Sequence, residues 1–311
     1  MIKSTANPHA GRQLPNLGSL WMLLAALGFA LMGALVKLGA TKFSVSELVF
    51  YRSLFGLIAI TLYLRRQKLS LASPVLLKQL SRALLGFASL LLFFYAIAHL
   101  PLATAITLNY TSPLFLAMLA PFLLQEPLKK TLMLALIIGF VGVSLLLKPT
   151  LSSSDGLAGS LGLLSGLGAA WAYVQVKQLA KLNEPDTRTV FYFTLLSTLL
   201  SGTWMLLAPQ IHRLAGMHTL LFAGFHGLTW QDLPLLIGLG ASATIAQLAM
   251  TRAYRTGDTL VVASLAYATV LLASLLGVIF WGEQLSPNDG IAIFLIVLSG
   301  LISLRSTPTA Q

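Results

Sequence analysis

Long apolar runs, separated by short polar segments, recur along the chain from Leu17 onward. About 20 residues of α-helix rise about 30 Å, the thickness of the hydrocarbon core of a bilayer. The runs do not alternate with a period of two, as the strands of a membrane β-barrel would. The pattern therefore predicts an all-α polytopic membrane protein with ten transmembrane helices, at about 17–37, 46–64, 79–98, 102–125, 131–147, 158–178, 189–208, 233–253, 259–282 and 288–304.

Composition and charge point the same way. Hydrophobic residues make up 57% of the 311 residues and charged residues only 9%, whereas a soluble domain carries about 25% charge. The net charge of +11 comes from Lys and Arg between the apolar runs, which is typical of cytoplasmic loops rather than of nucleic-acid binding. With a cytoplasmic N-terminus, 15 of the 20 basic residues fall on the inner side. Ten spans then place both termini in the cytoplasm.

An internal repeat divides the chain into two halves. Residues 23–37 and 163–177 match at seven of fifteen positions, and the pair Tyr110 and Glu126 recurs as Tyr267 and Glu283 at an offset of 157. Five spans per repeat is an odd number, so the second repeat is predicted to be inverted in the membrane. We predict a cytoplasmic tail (1–16), a first repeat (17–148), an outer linker (149–157), a second repeat (158–305) and a C-terminal tail (306–311).

Several short motifs resemble one transporter family. They are Val36-Lys37, Phe50-Tyr51-Arg52, the run from Pro101 through Tyr110-Thr111-Ser112-Pro113, and the segments Gln125-Glu126-Pro127 and Gly282-Glu283-Gln284. Over about residues 17–305 the chain resembles the drug/metabolite transporter superfamily, and specifically its EamA type. The resemblance implies two inverted five-helix repeats and transport of small solutes such as amino acids, nucleotide-like metabolites, drugs or lipid-linked sugars. The run from Leu92 to Ala105 also resembles bacterial S-adenosylmethionine uptake carriers.

Polar residues inside the spans are the candidate substrate contacts, because such groups are costly in hydrocarbon. Arg52 aligns with Phe193 in the other repeat and suits a carboxylate or phosphate, although a long side chain can also snorkel to the interface. Pro113 removes one helical hydrogen bond near Asn109. We predict one central cavity lined by Asn109, Gln175 and Gln247. The full candidate set is Arg52, Tyr95, Asn109, Tyr110, Ser112, Trp171, Tyr173, Gln175, Gln247 and Tyr267.

A second group of residues recurs in both repeats or shapes a helix, and is predicted to act in gating or structure. The aromatic residues among the candidate substrate contacts have an alternative interpretation, in which they serve helix packing or an interfacial aromatic belt. The gating set comprises Lys37, Pro113, Glu126, Lys177 and Glu283.

The sequence lacks the residues that thiol chemistry, ATP hydrolysis or metal binding would require. There is no cysteine and no GxxxxGK[ST] phosphate loop, and the spacing of His212, His218 and His226 in the outer loop fits no ordinary metal site. All nine acids lie at span ends or in loops, so a midplane carboxylate relay is not expected. We expect a non-enzymatic, cofactor-free carrier in the bacterial inner membrane, monomeric or homodimeric. Its expected substrates are amino acids or their derivatives; S-adenosylmethionine, nucleotide-like, drug or lipid-linked substrates are the alternatives.

Overall fold

The computed structural model describes residues 17–100, 102–148, 156–215, 226–282 and 286–306. Within these ranges the chain forms α-helices, one short 3-10 helix (Trp230–Asp232) and no strand. The helices are α1 (Leu17–Gly39), α2 (Val45–Arg66), α3 (Leu76–His99), α4 (Leu102–Asn109), α5 (Ser112–Leu123), α6 (Lys130–Leu147), α7 (Gly156–Lys181), α8 (Asp186–Ala215), α9 (Leu233–Thr256), α10 (Thr259–Leu265), α11 (Ala268–Trp281) and α12 (Pro287–Arg305).

Ten helical stretches of this described part are long and apolar enough to cross a membrane. We number them spans 1 to 10 in chain order; span 4 combines α4 with α5, and span 9 combines α10 with α11. The prediction of an all-α protein with ten spans is confirmed. One boundary differs, because α8 continues to Ala215 where a loop had been predicted from about residue 209.

The faces of the helices are arranged for a lipid solvent. In α1 the exposed side chains include Leu20, Leu24 and Leu27, while Ala25 and Ala26 are fully buried. Small buried residues let helix backbones approach closely, which is how membrane helices gain packing contacts. Gly28 follows the same rule, because a Cβ there would lie 2.8 Å from the Cβ of Ala246 on α9.

The main helix contacts join the two halves of the chain. Span 1 packs on span 8, span 6 on span 3, span 2 on span 7 and span 5 on span 10. Span 1 also packs on span 9, as span 6 does on span 4. Exchanging span n with span n + 5 converts pairing 1–8 into 6–3 and pairing 1–9 into 6–4, and it leaves pairings 2–7 and 5–10 unchanged. This is the pattern that two related five-span units produce. The boundaries, orientation and sidedness of the two repeats stay predictions.

Candidate functional site

Spans 4 and 9 are both interrupted, at corresponding places. In span 4 the Thr111 N–H donates to Leu108 O (3.2 Å), and in span 9 the Tyr267 N–H donates to Ser264 O (3.3 Å). These bonds span three residues instead of four, so the helix tightens there into a 3-10 turn. Interrupted spans in matching positions of two halves point to a transporter's binding region.

The interruption in span 4 has a local cause, whereas that in span 9 does not. Pro113 in the first turn of α5 has no N–H to donate, and its ring disfavours a continuous helix. The predicted break near Asn109 therefore agrees with the end of α4 at that residue. Span 9 has no proline at its interruption, so no local sequence signal predicted the break there.

Two tyrosines bring the interruptions together. The rings of Tyr110 and Tyr267 lie 6.3 Å apart, tilted by 35°. Tyr267 is fully buried, and its hydroxyl has no hydrogen-bond partner in the described part of the chain. Ser112 is also buried beside the break. An unpaired buried hydroxyl is costly, so the region retains polar capacity that the protein itself does not use.

Glycines of neighbouring helices lie against both interruptions. A Cβ at Gly166 of α7 would lie 2.5 Å from Thr111 Oγ1 and 3.0 Å from Leu108 O. A Cβ at Gly139 of α6 would lie 2.5 Å from Tyr267 Cδ2. Real Cβ atoms do not approach this closely, so only glycine permits this packing, and α6 and α7 therefore fix the positions of the two breaks.

Asn109 and Gln175, predicted to line one cavity with Gln247, bond to different partners. Asn109 Nδ2 donates to Ser165 Oγ (3.0 Å) in the contact of α4 with α7. Gln175 Nε2 donates to Ser81 Oγ (2.8 Å) in the contact of α3 with α7. Ser165 and Gln175 are ten residues apart on one helix, a rise of about 15 Å, so the two amides lie in separate interfaces.

Gln247 of α9 is buried, and no hydrogen bond of its side chain is present among the described residues. A buried amide without a protein partner keeps its donors and acceptors available for a solute. Its role in binding stays a prediction.

Arg52 lies within span 2, about 10 Å along the helix from Val45. Its side chain is half-buried and has neither a hydrogen bond nor an ion pair with any residue that the structure describes. The start of the helix is fixed by a capping box, in which the Ser44 N–H donates to Glu47 Oε2 (2.8 Å) and the Glu47 N–H to Ser44 Oγ (3.4 Å). Arg52 is thus a cation at membrane depth with its donors available.

The other predicted aromatic contacts occupy different surroundings. Tyr173 stacks on Tyr254 of α9, with ring centroids 5.0 Å apart. Tyr95 stacks instead on His99, one turn along the same helix, at 4.1 Å. Trp171 is exposed and continues the exposed stripe of Leu157 and Leu164 at seven-residue spacing. This exposure favours the interfacial alternative for Trp171, and its role in binding stays a prediction.

The gating candidate Lys177, near the C-terminal end of α7, contacts the segments that follow spans 4 and 8. Lys177 Nζ donates to Gly257 O (2.7 Å) and lies 3.9 Å from Glu126 Oε1. Lys37, the repeat counterpart of Lys177, lies 4.5 Å above the ring of Trp281. Glu283 lies outside the described residues. Lys177 thus connects the repeats at one end of the bundle, although its predicted role in gating has no test here.

Sequence reasoning missed two charged groups. Arg82 was interpreted as a topological charge, yet its side chain is 2% exposed and lies 4.5 Å from the ring centroid of Phe193. Its position inside the predicted span 79–98 was the available signal. His226, expected in a solvated loop, has Nδ1 2.8 Å from Glu47 Oε2, and its backbone N–H donates to Glu47 Oε1 (2.6 Å). The Ser44–Glu47 spacing signalled the capping box but not this second partner.

Known proteins resemble the chain in sequence and fold. The profile of the EamA-like transporter family matches residues 16–148. A relative named pseudopaline exporter, from Pseudomonas aeruginosa (strain UCBPP-PA14), is 30% identical over 269 residues, covering 86% of this chain and 88% of the relative. A riboflavin transporter from Vibrio cholerae is 27% identical over 294 residues, covering 92% of each chain.

A solved crystal structure has the same fold, with a TM-score of 0.77 at 18% identity, covering 94% of this chain and 98% of the other. Membrane-spanning helices and related bacterial transporters together indicate a multi-pass protein of the bacterial inner membrane that carries small metabolites. The chain belongs to the EamA-like transporter family, within the drug/metabolite transporter superfamily.

Proposed function

We propose that the chain carries a small polar metabolite with a carboxylate, an amino acid or an amino-acid derivative, by alternating access between two inverted repeats. The proposal rests on the side chain of Arg52, which has no hydrogen-bond or ion-pair partner among the described residues. A guanidinium at membrane depth with no anion beside it among the described residues requires water or a solute anion to offset its desolvation. A carboxylate can accept two parallel hydrogen bonds from it.

The pairing of the helices supports alternating access. Each main contact has an equivalent under exchange of span n with span n + 5, so two arrangements related by that exchange are similar in packing. The interruptions in spans 4 and 9 supply points where each unit can bend. In this proposal both termini are cytoplasmic and residues 149–157 are outside.

A second candidate substrate is a planar, nucleotide-like metabolite such as S-adenosylmethionine. The stacked pair of Tyr173 and Tyr254 favours it, since aromatic faces bind planar or cationic groups. The riboflavin transporter among the relatives and the sequence resemblance of residues 92–105 point to the same class. A carrier of cationic drugs has less support, because the buried acids Glu47 and Glu184 are already bonded to partners.

The proposal assigns no catalytic step and no cofactor. Described acids lie near helix ends or in loops, so exchange or uniport accounts for transport without a midplane proton relay.

Reconstituted transport tests the proposal. Purified protein in proteoliposomes is assayed by counterflow with amino acids, S-adenosylmethionine, riboflavin and pseudopaline. We expect Arg52→Gln to lower the flux of a carboxylate-bearing substrate at least about tenfold, since a charge-assisted hydrogen bond contributes about 1.5–3 kcal/mol. Arg66→Gln, at an exposed arginine of the same helix, is the control. Equal flux in both variants, or transport of none of these solutes, would contradict the proposal.

A further inference from the structure

Arg82 is a buried cation that forms no ion pair with any residue in the described ranges. It lies on α3, about 9 Å along the helix from Leu76. Its side chain is 2% exposed, and Nε and Nη1 have no hydrogen-bond partner among the described residues. Its guanidinium carbon lies 4.5 Å from the ring centroid of Phe193 on α8. A cation–π contact only partly offsets the desolvation of a guanidinium.

The surroundings leave room for this arrangement. A Cβ at Gly86, one turn along α3, would lie 3.1 Å from Arg82 Nη1 and 3.1 Å from Phe193 Cε2. The missing side chain therefore opens the slot in which guanidinium and ring meet.

The repeat relates Arg82 to Arg52. Phe193 aligns with Arg52 at an offset of 141, and Arg82 aligns with Leu239 at an offset of 157. The position pair Arg52 and Leu239 on spans 2 and 8 therefore corresponds to the pair Phe193 and Arg82 on spans 7 and 3. Each of these two pairs contains one arginine, which comes from span 2 in the first pair and from span 3 in the second.

A polar cluster covers Arg82 toward the start of α3. Gln79, one turn earlier, donates from Nε2 to Glu184 Oε2 (3.0 Å). Glu184 also accepts from Arg188 Nη1 (3.0 Å). Since Glu184 is engaged by these two partners, it does not neutralise Arg82, and opening this cluster would expose the guanidinium to the inner side.

We propose that Arg82 is a second binding residue for the carboxylate of the cargo, used when the carrier opens inward, as Arg52 is used when it opens outward. This rests on the proposed function. On inward opening the guanidinium leaves the face of Phe193 and donates charge-assisted hydrogen bonds to the anion, which are stronger than the contact it gives up. The inner site therefore selects an anionic group independently of Arg52.

Thiol labelling tests the inner site without knowledge of the cargo. The chain has no cysteine, so Phe193→Cys supplies the only thiol. In inside-out vesicles its reaction rate is measured with an anionic sulfonatoethyl and a cationic trimethylammonioethyl methanethiosulfonate. We expect Arg82→Gln to lower the anionic-to-cationic rate ratio about tenfold or more, and Arg82→Lys to retain most of it.

Lys78→Gln removes a charge from the same helix at an exposed position, where screening keeps its effect small. Should Phe193→Cys fail to fold, Ser197→Cys is the milder replacement, because Ser197 lies one turn along α8 and its buried hydroxyl has no partner in the described chain. A ratio independent of Arg82, or a thiol unreactive from the inner side, would overturn the proposal. The labelling rates of the two reagents do not depend on transport. The labelling result therefore stands even if Arg52→Gln leaves the flux unchanged, and the two proposals can fail separately.

Discussion

The two ends of the bundle are held together in different ways. Three side-chain contacts are present at the proposed outer end: Lys42 pairs with Asp232, His226 Nδ1 lies 2.8 Å from Glu47 Oε2, and Lys148 pairs with Asp289. Their basic side chains are 40%, 50% and 57% exposed. At the proposed inner end Asp186 of α8 pairs with Arg252 and Arg255 of α9, and in addition α7 bonds backbone carbonyls. Lys181 Nζ donates to Leu124 O (2.9 Å), and Lys177 Nζ donates to Gly257 O (2.7 Å).

This difference makes the outer end the easier one to open. The acids of the outer contacts are 13%, 0% and 6% exposed, but their basic partners are exposed, so salt screens these contacts in part. Partly exposed pairs occur at the proposed inner end as well, and the bonds from Lys181 and Lys177 to carbonyls are present there in addition. Lysines at the end of a helix satisfy carbonyls that lack intrahelical partners and also interact favourably with the helix dipole. The accessibility of the two arginines agrees, because Arg52 is half-buried and Arg82 is buried.

The largest effect is expected for Glu184→Gln. Glu184 is 4% exposed and accepts hydrogen bonds from Gln79 and Arg188. Breaking a buried ion pair on one side costs about 3 kcal/mol, and we expect that loss in the free energy of unfolding in detergent micelles. Asp232→Asn makes the same chemical change at the outer end and should cost less than about 1 kcal/mol. Equal losses in the two variants would remove the distinction between the ends.

Gly166→Ala asks whether the packing of α7 against span 4 is as tight as the structure indicates. The added Cβ would press on Thr111 and the Leu108 carbonyl, and overpacking of this kind costs about 1–3 kcal/mol. Gly33→Ala is the matched control, since nothing lies within 4 Å of its Cβ and alanine favours helix. Thermal unfolding of both variants measures the difference. A Gly166→Ala protein as stable as the control would show that α7 is free to shift there.

Lys181→Met should shift the balance between the two open states. It leaves Leu124 O without its lysine partner, which removes about 1 kcal/mol from the inner contact. The labelling rate of Ser197→Cys from the inner side should then rise about fivefold. An unchanged rate would mean that this contact does not restrain opening.

A change in salt concentration should produce the smallest effect on thiol labelling, and the effect should differ between the proposed outer and inner ends. Raising the ionic strength from about 0.1 M to 1 M shortens the Debye length from about 10 Å to 3 Å. We expect labelling of a thiol near Arg52, at Phe55→Cys, to increase up to about threefold from the outer side, since the exposed outer pairs weaken. Labelling of Ser197→Cys from the inner side should change less. The opposite order would contradict the comparison.

The spans could be predicted from the sequence because the length of an apolar run decides whether it inserts into a membrane. That length can be measured without knowledge of tertiary contacts. The sequence also predicted the break of span 4, since Pro113 causes it locally. The break of span 9 has no proline, and Tyr267 packs there against Gly139 of another helix, a contact that no local pattern reveals. The exposure of Trp171 and the burial of Arg82 were not predicted, for a related reason. Periodicity gives the angle of a side chain on its helix, but the neighbouring helices decide whether that angle faces lipid, protein or a cavity.

Reciprocal opening of the two ends is the central claim, and cross-linking tests it most directly. Cysteines replace Lys42 and Asp232, whose side chains meet at the outer end, and a short bifunctional methanethiosulfonate applied from outside bridges them. The labelling rate of Ser197→Cys is then measured from the inner side. Bridging should raise this rate several-fold relative to unbridged protein. A rate that stays the same or falls would contradict alternating access in this chain.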